Sequence, residues 1–80
     1  MMRFYFDIRE NGRLISDEEG EVLPDMEAVQ WEATLSLVEI ARDAIRSHAT
    51  DGPLELAIEA RTDDGPLLQA KLVFELIRIR

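Results

Sequence analysis

Phe4, Phe6 and Ile8 alternate with Arg3, Tyr5, Asp7 and Arg9. A period of two carried by aromatic and β-branched residues predicts a strand with one apolar face. Asn11-Gly12 follows, and this pair accepts the two positive φ angles of a type I′ turn, the tightest hairpin link. A two-residue turn there pairs Glu10 with Arg13 and Ile8 with Ile15, setting opposite charges together and apolar residues on one face. Asp17-Glu18-Glu19-Gly20-Glu21 then predicts a loop, and Val22-Leu23 a short extended piece before Pro24, which biases Leu23 away from helix.

From residue 26 to about residue 48 there is neither glycine nor proline. Asp25 is placed to cap the N-terminus of a helix, and Glu27 stands in the first turn, where the helix dipole favours an acid. At 100° per residue, Met26, Val29, Ala33, Leu37, Ile40, Ala41 and Ala44 make one apolar stripe. Trp31, Leu35, Val38 and Ile45 make a second beside it, with Glu32, Glu39, Asp43 and Arg46 on the remaining face. Asp51-Gly52-Pro53 ends the helix.

Leu54, Leu56, Ile58 and Ala60 alternate with Glu55, Ala57 and Glu59, giving another strand. A plain two-residue Asp-Gly turn after it sets Ile58 opposite Lys71 and mixes the faces. A turn with Gly65 as a left-handed bulge residue instead pairs Ile58 with Ala70, Leu56 with Leu72 and Leu54 with Phe74, and is the expected form. The last strand starts near Leu67, and its alternation breaks where Ile77 follows Leu76, which marks a bulge or a strand end. The rival for this segment is a terminal helix, since Gln69-Ala70-Lys71-Leu72 are good helix formers.

The expected architecture is α+β: a single domain over residues 1–80, in the order β-β-α-β-β, with one long helix on one face of a four-stranded, mainly antiparallel sheet. A helix of about 23 residues is roughly 34 Å long. Four strands span only ~15–20 Å. One stripe covers such a sheet, so the second stripe, headed by Trp31, is expected to be exposed and available for contact. The competing reading is that helix tilt, Val22-Leu23 and the chain end around Ile77 cover Trp31.

Composition narrows the chemistry. The chain has no cysteine, which removes disulfides, thiolate metal sites and a cysteine nucleophile. No apolar run approaches the ~20 residues of a membrane span, and the first residues lack the order of a signal peptide, so a cytoplasmic location is expected. The net charge of −8 repels phosphate backbones and favours a basic partner. Arg3, Tyr5 and Arg9 share the outer face of the first strand, but Glu55, Glu59 and Glu75 are expected to share it too, giving a mixed solvated surface and no nucleic-acid site.

The densest acid cluster is Asp17, Glu18, Glu19, Glu21 and Asp25. Its spacing is not that of a calcium loop, and it reads as a solvated loop with docking to a basic partner as its functional alternative. His48, the single histidine, stands where the helix ends and suits the dipole there, with no triad partner set by local spacing. Asp63-Asp64 and Asp51-Gly52 are turn residues. No catalytic, cofactor-binding or metal-binding constellation emerges. An enzyme would need a pocket gathering Asp7, Asp17 or His48.

Arg3-Phe4-Tyr5-Phe6-Asp7-Ile8-Arg9, then Asp17-Glu18-Glu19-Gly20, then Leu23-Pro24-Asp25 leading into a helix rich in Glu, Ala and Leu, resembles a family of short bacterial proteins common in rhizobia and their relatives, a domain of unknown function. The resemblance covers the first half of the chain in detail and the second only as strand, Asp-Gly turn and strand. It implies a small cytoplasmic bacterial protein and brings no activity or catalytic residue. A looser likeness, in architecture only, is to small partial ribonuclease-H-like antitoxins. The functional expectation is a non-enzymatic interaction module, a homodimer or a partner-binding protein, acting through Trp31, Leu35, Val38 and Ile45 or through the acidic loop. The alternative is an antitoxin-like or regulatory subunit that neutralises a basic partner.

Overall fold

In the computed structural model, which describes residues 2–47 and 52–80, the chain runs β1 (Met2–Glu10), β2 (Arg13–Ile15), β3 (Glu21–Leu23), α1 (Met26–Ser47), β4 (Leu54–Thr62) and β5 (Gly65–Phe74). The sheet is antiparallel, with spatial order β2-β1-β4-β5 and β3 also paired to β1. It has five strands rather than the expected four. Val22 and its neighbours do not merely extend; they form ladder pairs with Met2, Arg3 and Phe4. Nothing in so short a run shows which edge it will find, so a paired strand is hard to tell from an extended loop.

The first hairpin has the expected register, Glu10 opposite Arg13 and Ile8 opposite Ile15. Asn11 and Gly12 both take positive φ, 47° and 85°, as a type I′ turn requires. Asn11 also ties the turn to β4: its N–H donates to the Glu55 carbonyl, and its Oδ1 accepts from the Glu55 N–H at 2.8 Å.

In the second hairpin Leu54, Leu56 and Ile58 face Phe74, Leu72 and Ala70, as the pattern predicts. The extra residue sits elsewhere. Thr62 pairs with Gly65 and Arg61 with Pro66, and the register shifts between Ala60 and Arg61, leaving Leu67 as the extra residue. Gly65 keeps a positive φ of 127°. Moving the offset to Leu67 leaves the interior register unchanged, so core patterning fixed the pairing but not the bulge. β5 ends at Phe74, two residues before the alternation breaks at Leu76-Ile77, and residues 75–80 continue without regular structure.

Asp25 caps α1, its Oδ1 accepting from the Ala28 N–H at 2.9 Å. Val29, Ala33, Leu37, Ala41 and Ala44 are buried against the sheet. They meet Leu54, Leu56 and Ile58 at one end of the interface, and Phe4 and Ala60 at the other. Met26 heads the same stripe but is exposed, and Ile40 lies at its margin, half-buried. Small residues at 33, 41 and 44 let the helix approach the sheet closely while Leu37 fills the centre. α1 covers one face only; the other face of the sheet is open to solvent.

Candidate functional site

Three regions bear on function: the open sheet face, the loop between β2 and β3, and the outward side of α1. β2 and β3 pair opposite ends of the same edge of β1, leaving Tyr5, Phe6 and Asp7 between them without a strand neighbour on that side. Residues 16–20 cross this gap. The Phe6 N–H, which would otherwise go unanswered, donates to Asp17 Oδ2 at 3.1 Å. Asp17 Oδ1 accepts from the N–H groups of Glu19 and Gly20, each at 3.1 Å, which winds the loop tightly around the Asp17 carboxylate. Gly20 completes the turn at φ 71°, and a Cβ there would lie 2.8 Å from the Phe4 carbonyl oxygen. Only glycine fits that approach.

Asp7 anchors the same loop from the sheet. Its Oδ1 accepts the Asp17 N–H at 2.9 Å, and its Oδ2 accepts Arg61 Nε at 2.7 Å. Arg61 reaches further, donating from Nη2 to the Asp17 carbonyl at 3.1 Å. Its guanidinium lies over the ring of Tyr5, its direct cross-strand neighbour, 4.6 Å from the centroid. Burial works to raise the Asp7 carboxyl, but Arg61 and the Asp17 N–H outweigh it and hold the group below its ordinary 3.8. Burial acts likewise on Asp17, and the N–H groups of Gly20, Phe6 and Glu19 again bring it below 3.8. Hydrogen bonding and the charge of Asp7 push Arg61 upward.

The structure thus brings Asp7 and Asp17 together, as an active site would require, but commits them to holding the fold. The oxygens of both carboxylates are engaged by Arg61 or by backbone N–H groups, so neither Asp7 nor Asp17 is poised as base or acid for a substrate. Of the acids expected to form a solvated loop, Glu18, Glu19 and Glu21 are exposed, whereas Asp17 is half-buried and points into its own loop. Among the described residues no three His, Asp or Glu side chains are grouped to hold a metal ion. His48 and Asp51 lie outside the described residues. Arg61 carried no signal in the sequence, because its partner Asp7 lies 54 positions away.

The open sheet face is mixed in charge. Arg9 approaches Glu59 at 4.0 Å and Lys71 approaches Glu55 at 3.8 Å, so its bases are interleaved with acids rather than gathered into a stripe. A shallow depression of about 140 Å3 lies over Ala57 between these pairs. A roomier cleft of about 480 Å3 lies at the head of α1, lined by Met2, Leu23, Met26 and Leu67 with Asp25 and Asp64 among its walls.

The outward side of α1 carries the second stripe, and none of its members is covered. Trp31 is 60% exposed, Leu35 56% and Val38 58%; Ile45 is exposed to a lesser degree. Trp31 stays mostly exposed, so neither Val22-Leu23 nor the terminal segment covers it; Leu23 packs with Phe4, Val29 and Ala60 instead. β3 is held on the outer edge of β1, and residues 75–80 leave the sheet with Leu76, Ile77 and Ile79 exposed.

The model of a domain of unknown function, DUF6894, matches residues 3–73. The chain belongs to the DUF6894 family. The match spans every strand and the helix, so the likeness noted in the first half extends through β4 and nearly all of β5. The family description assigns no enzymatic activity. The blocks that carried the resemblance hold structural positions here: Asp7, Asp17 and Gly20 build the loop across β1, and Asp25 caps α1. No curated protein and no solved structure matches the chain. No helix among the described residues is long and apolar enough to cross a membrane.

Proposed function

We propose that this DUF6894 protein is a non-enzymatic protein–protein interaction module whose contact surface is the outward stripe of α1. The observation that carries this reading is the exposure of Trp31, Leu35, Val38 and Ile45, four large apolar side chains on one side of the helix. Contiguous apolar surface on a small protein is costly to leave in water and marks contact sites. Trp is also the residue type most enriched at the energetic centres of interfaces.

Affinity capture of the tagged chain from native cell extract tests the reading. Wild type and a Glu18→Lys/Glu19→Lys variant should recover the same protein in stoichiometric amount, whether further copies of the chain or another polypeptide. Val38→Glu should recover none, because it sets a charge in the middle of the band. Full recovery by Val38→Glu, or recovery that depends on the loop acids, would refute the stripe as the contact surface.

The second reading, neutralisation of a basic partner through the acidic loop, is the weaker one. Asp17 is turned inward to Phe6, Glu19 and Gly20 and has no free oxygen to offer such a partner.

A further inference from the structure

The two edges of the sheet are finished differently. On the outer side of β1, β2 and β3 pair its two ends and Asp17 answers the Phe6 N–H between them. At the other edge, β5 has β4 as its one strand neighbour among the described residues. The ladder shows which backbone groups of β5 are left over. Glu55 turns its N–H and C=O toward the β1 side, where both bond to Asn11. Direction alternates along an antiparallel strand, so Leu54, Leu56, Ile58 and Ala60 turn theirs toward β5 and meet Phe74, Leu72, Ala70 and Leu68. The backbone groups of Gln69, Lys71 and Val73 therefore point outward, as a row that a further extended strand would complete.

The side chains agree with the backbone. In those four pairs the β4 members are buried, whereas Leu68, Ala70, Leu72 and Phe74 are half-buried, because no strand lies beyond them. β5 also outruns β4: the pairing stops at Leu54 with Phe74, and Leu76 and Ile77 carry on, exposed. Proline, bulges and charges commonly guard such an edge. Pro66 and the bulge at Leu67 guard the first part of β5, but from residue 69 to residue 77 the only charges are Lys71 and Glu75.

We propose that β5 pairs edge to edge with β5 of a second copy of this chain, antiparallel about a two-fold axis at Val73, with residues 75–77 drawn into the strand. This goes beyond the α1 stripe and uses a different surface. Lys71 then faces Glu75 of the second copy and Glu75 faces its Lys71, while Val73 meets its counterpart. On the helix side Leu72 faces Phe74 and Ala70 faces Leu76. Arg78 falls opposite Leu68, so no like charges meet. Lys71 stands between Glu55 of its own chain, at 3.8 Å, and Glu75 of the other. Neighbouring registers lose this match. An axis at Lys71 opposes lysine to lysine, an axis at Ala70 or Leu72 sets the two lysines diagonal to each other, and one at Phe74 does the same to the glutamates. The charged side chains of α1 stand a full layer above the strands, where salt at ~0.1 M screens them over about 10 Å, so the strands choose the register. One strand pair is a small contact, so it forms in concentrated protein and dissociates in dilute extract, where capture reads the stripe alone.

Mass read by light scattering against concentration tests the pairing. Wild type is expected to climb from the single-chain 9.2 kDa toward twice that value. Lys71→Glu and Glu75→Lys, each alone, should weaken association by about tenfold or more, since each reverses both symmetry-related pairs at once. An equimolar mixture of the two should restore it, because an edge with two acids then meets an edge with two bases. Val73→Pro removes an N–H that points away from β4, so it should abolish association while its far-ultraviolet circular dichroism stays that of wild type. A wild-type mass that stays at 9.2 kDa at every concentration would overturn the pairing. Association of Val73→Pro as tight as that of wild type would overturn the β5 edge as its site, and a mixture no tighter than either charge variant alone would overturn the register. None of these outcomes bears on the stripe, which is decided by whether Val38→Glu abolishes capture.

Discussion

Asp17 and Gly20 show how much of this fold hangs on a few polar atoms. Gly20→Ala forces a Cβ against the Phe4 carbonyl in a left-handed conformation. It should lower unfolding free energy by about 1–3 kcal/mol in denaturant titration. Gly12→Asn should cost far less, since a Cβ there meets nothing within 4 Å and asparagine accepts positive φ. Asp7 and Asp17 supply the pH dependence. Both carboxyls sit below 3.8 in the folded chain, so the unfolded state binds protons first as pH falls. Their contribution is fully present above about pH 4 and is lost as the medium is acidified through their folded values. Asp7→Asn should therefore reduce stability at neutral pH and flatten its fall below pH 4, measured by urea unfolding across that range. An unchanged acid limb would contradict the assignment of Asp7 as the anchor. The sequence shows Asp17-Glu18-Glu19-Gly20 as a turn, because a carboxylate two and three positions before free N–H groups is local chemistry. It does not show Arg61, whose role exists only once β4 lies beside β1.

At the scale of the helix, two leucines two residues apart separate the roles of its faces. Leu37 is buried against Leu54, Leu56 and Ile58, and Leu35 is open to solvent. Leu37→Ala should cost about 2–5 kcal/mol in thermal or denaturant unfolding. Leu35→Ala should stay within about 0.5 kcal/mol under conditions where the chain is monomeric. Equal costs would mean that the outward stripe is part of the core. The division into these stripes was legible from 100° periodicity alone, as was the interior register of β4 and β5 from period-two alternation, since each pattern has one arrangement that buries its apolar set. The fate of Val22-Leu23 was not. A three-residue strand carries too little pattern to choose its edge, and its place on β1 depends on the loop that Asp7, Asp17 and Arg61 fasten. The site of the bulge at Leu67 was hidden for the same reason, since either position serves the core equally.

For the whole molecule, a one-sided sheet with a single helix leaves two broad surfaces. The sheet's free face is dressed in alternating charges, while the outward face of the helix keeps an apolar band with the chain's one tryptophan at its head. That asymmetry is the basis for reading the protein as a module that works by contact rather than by chemistry. Trp31 is also the probe for it. Biosynthetic fluorotryptophan gives a single fluorine resonance that can be followed in purified protein at rising concentration and in native extract. The account predicts that this resonance shifts and broadens as the band becomes covered, and that Val38→Glu holds it at the position of the dilute, solvent-exposed ring. A resonance that stays sharp and solvent-exposed in wild type under every one of these conditions would contradict the claim that the α1 stripe is where this protein meets its partner.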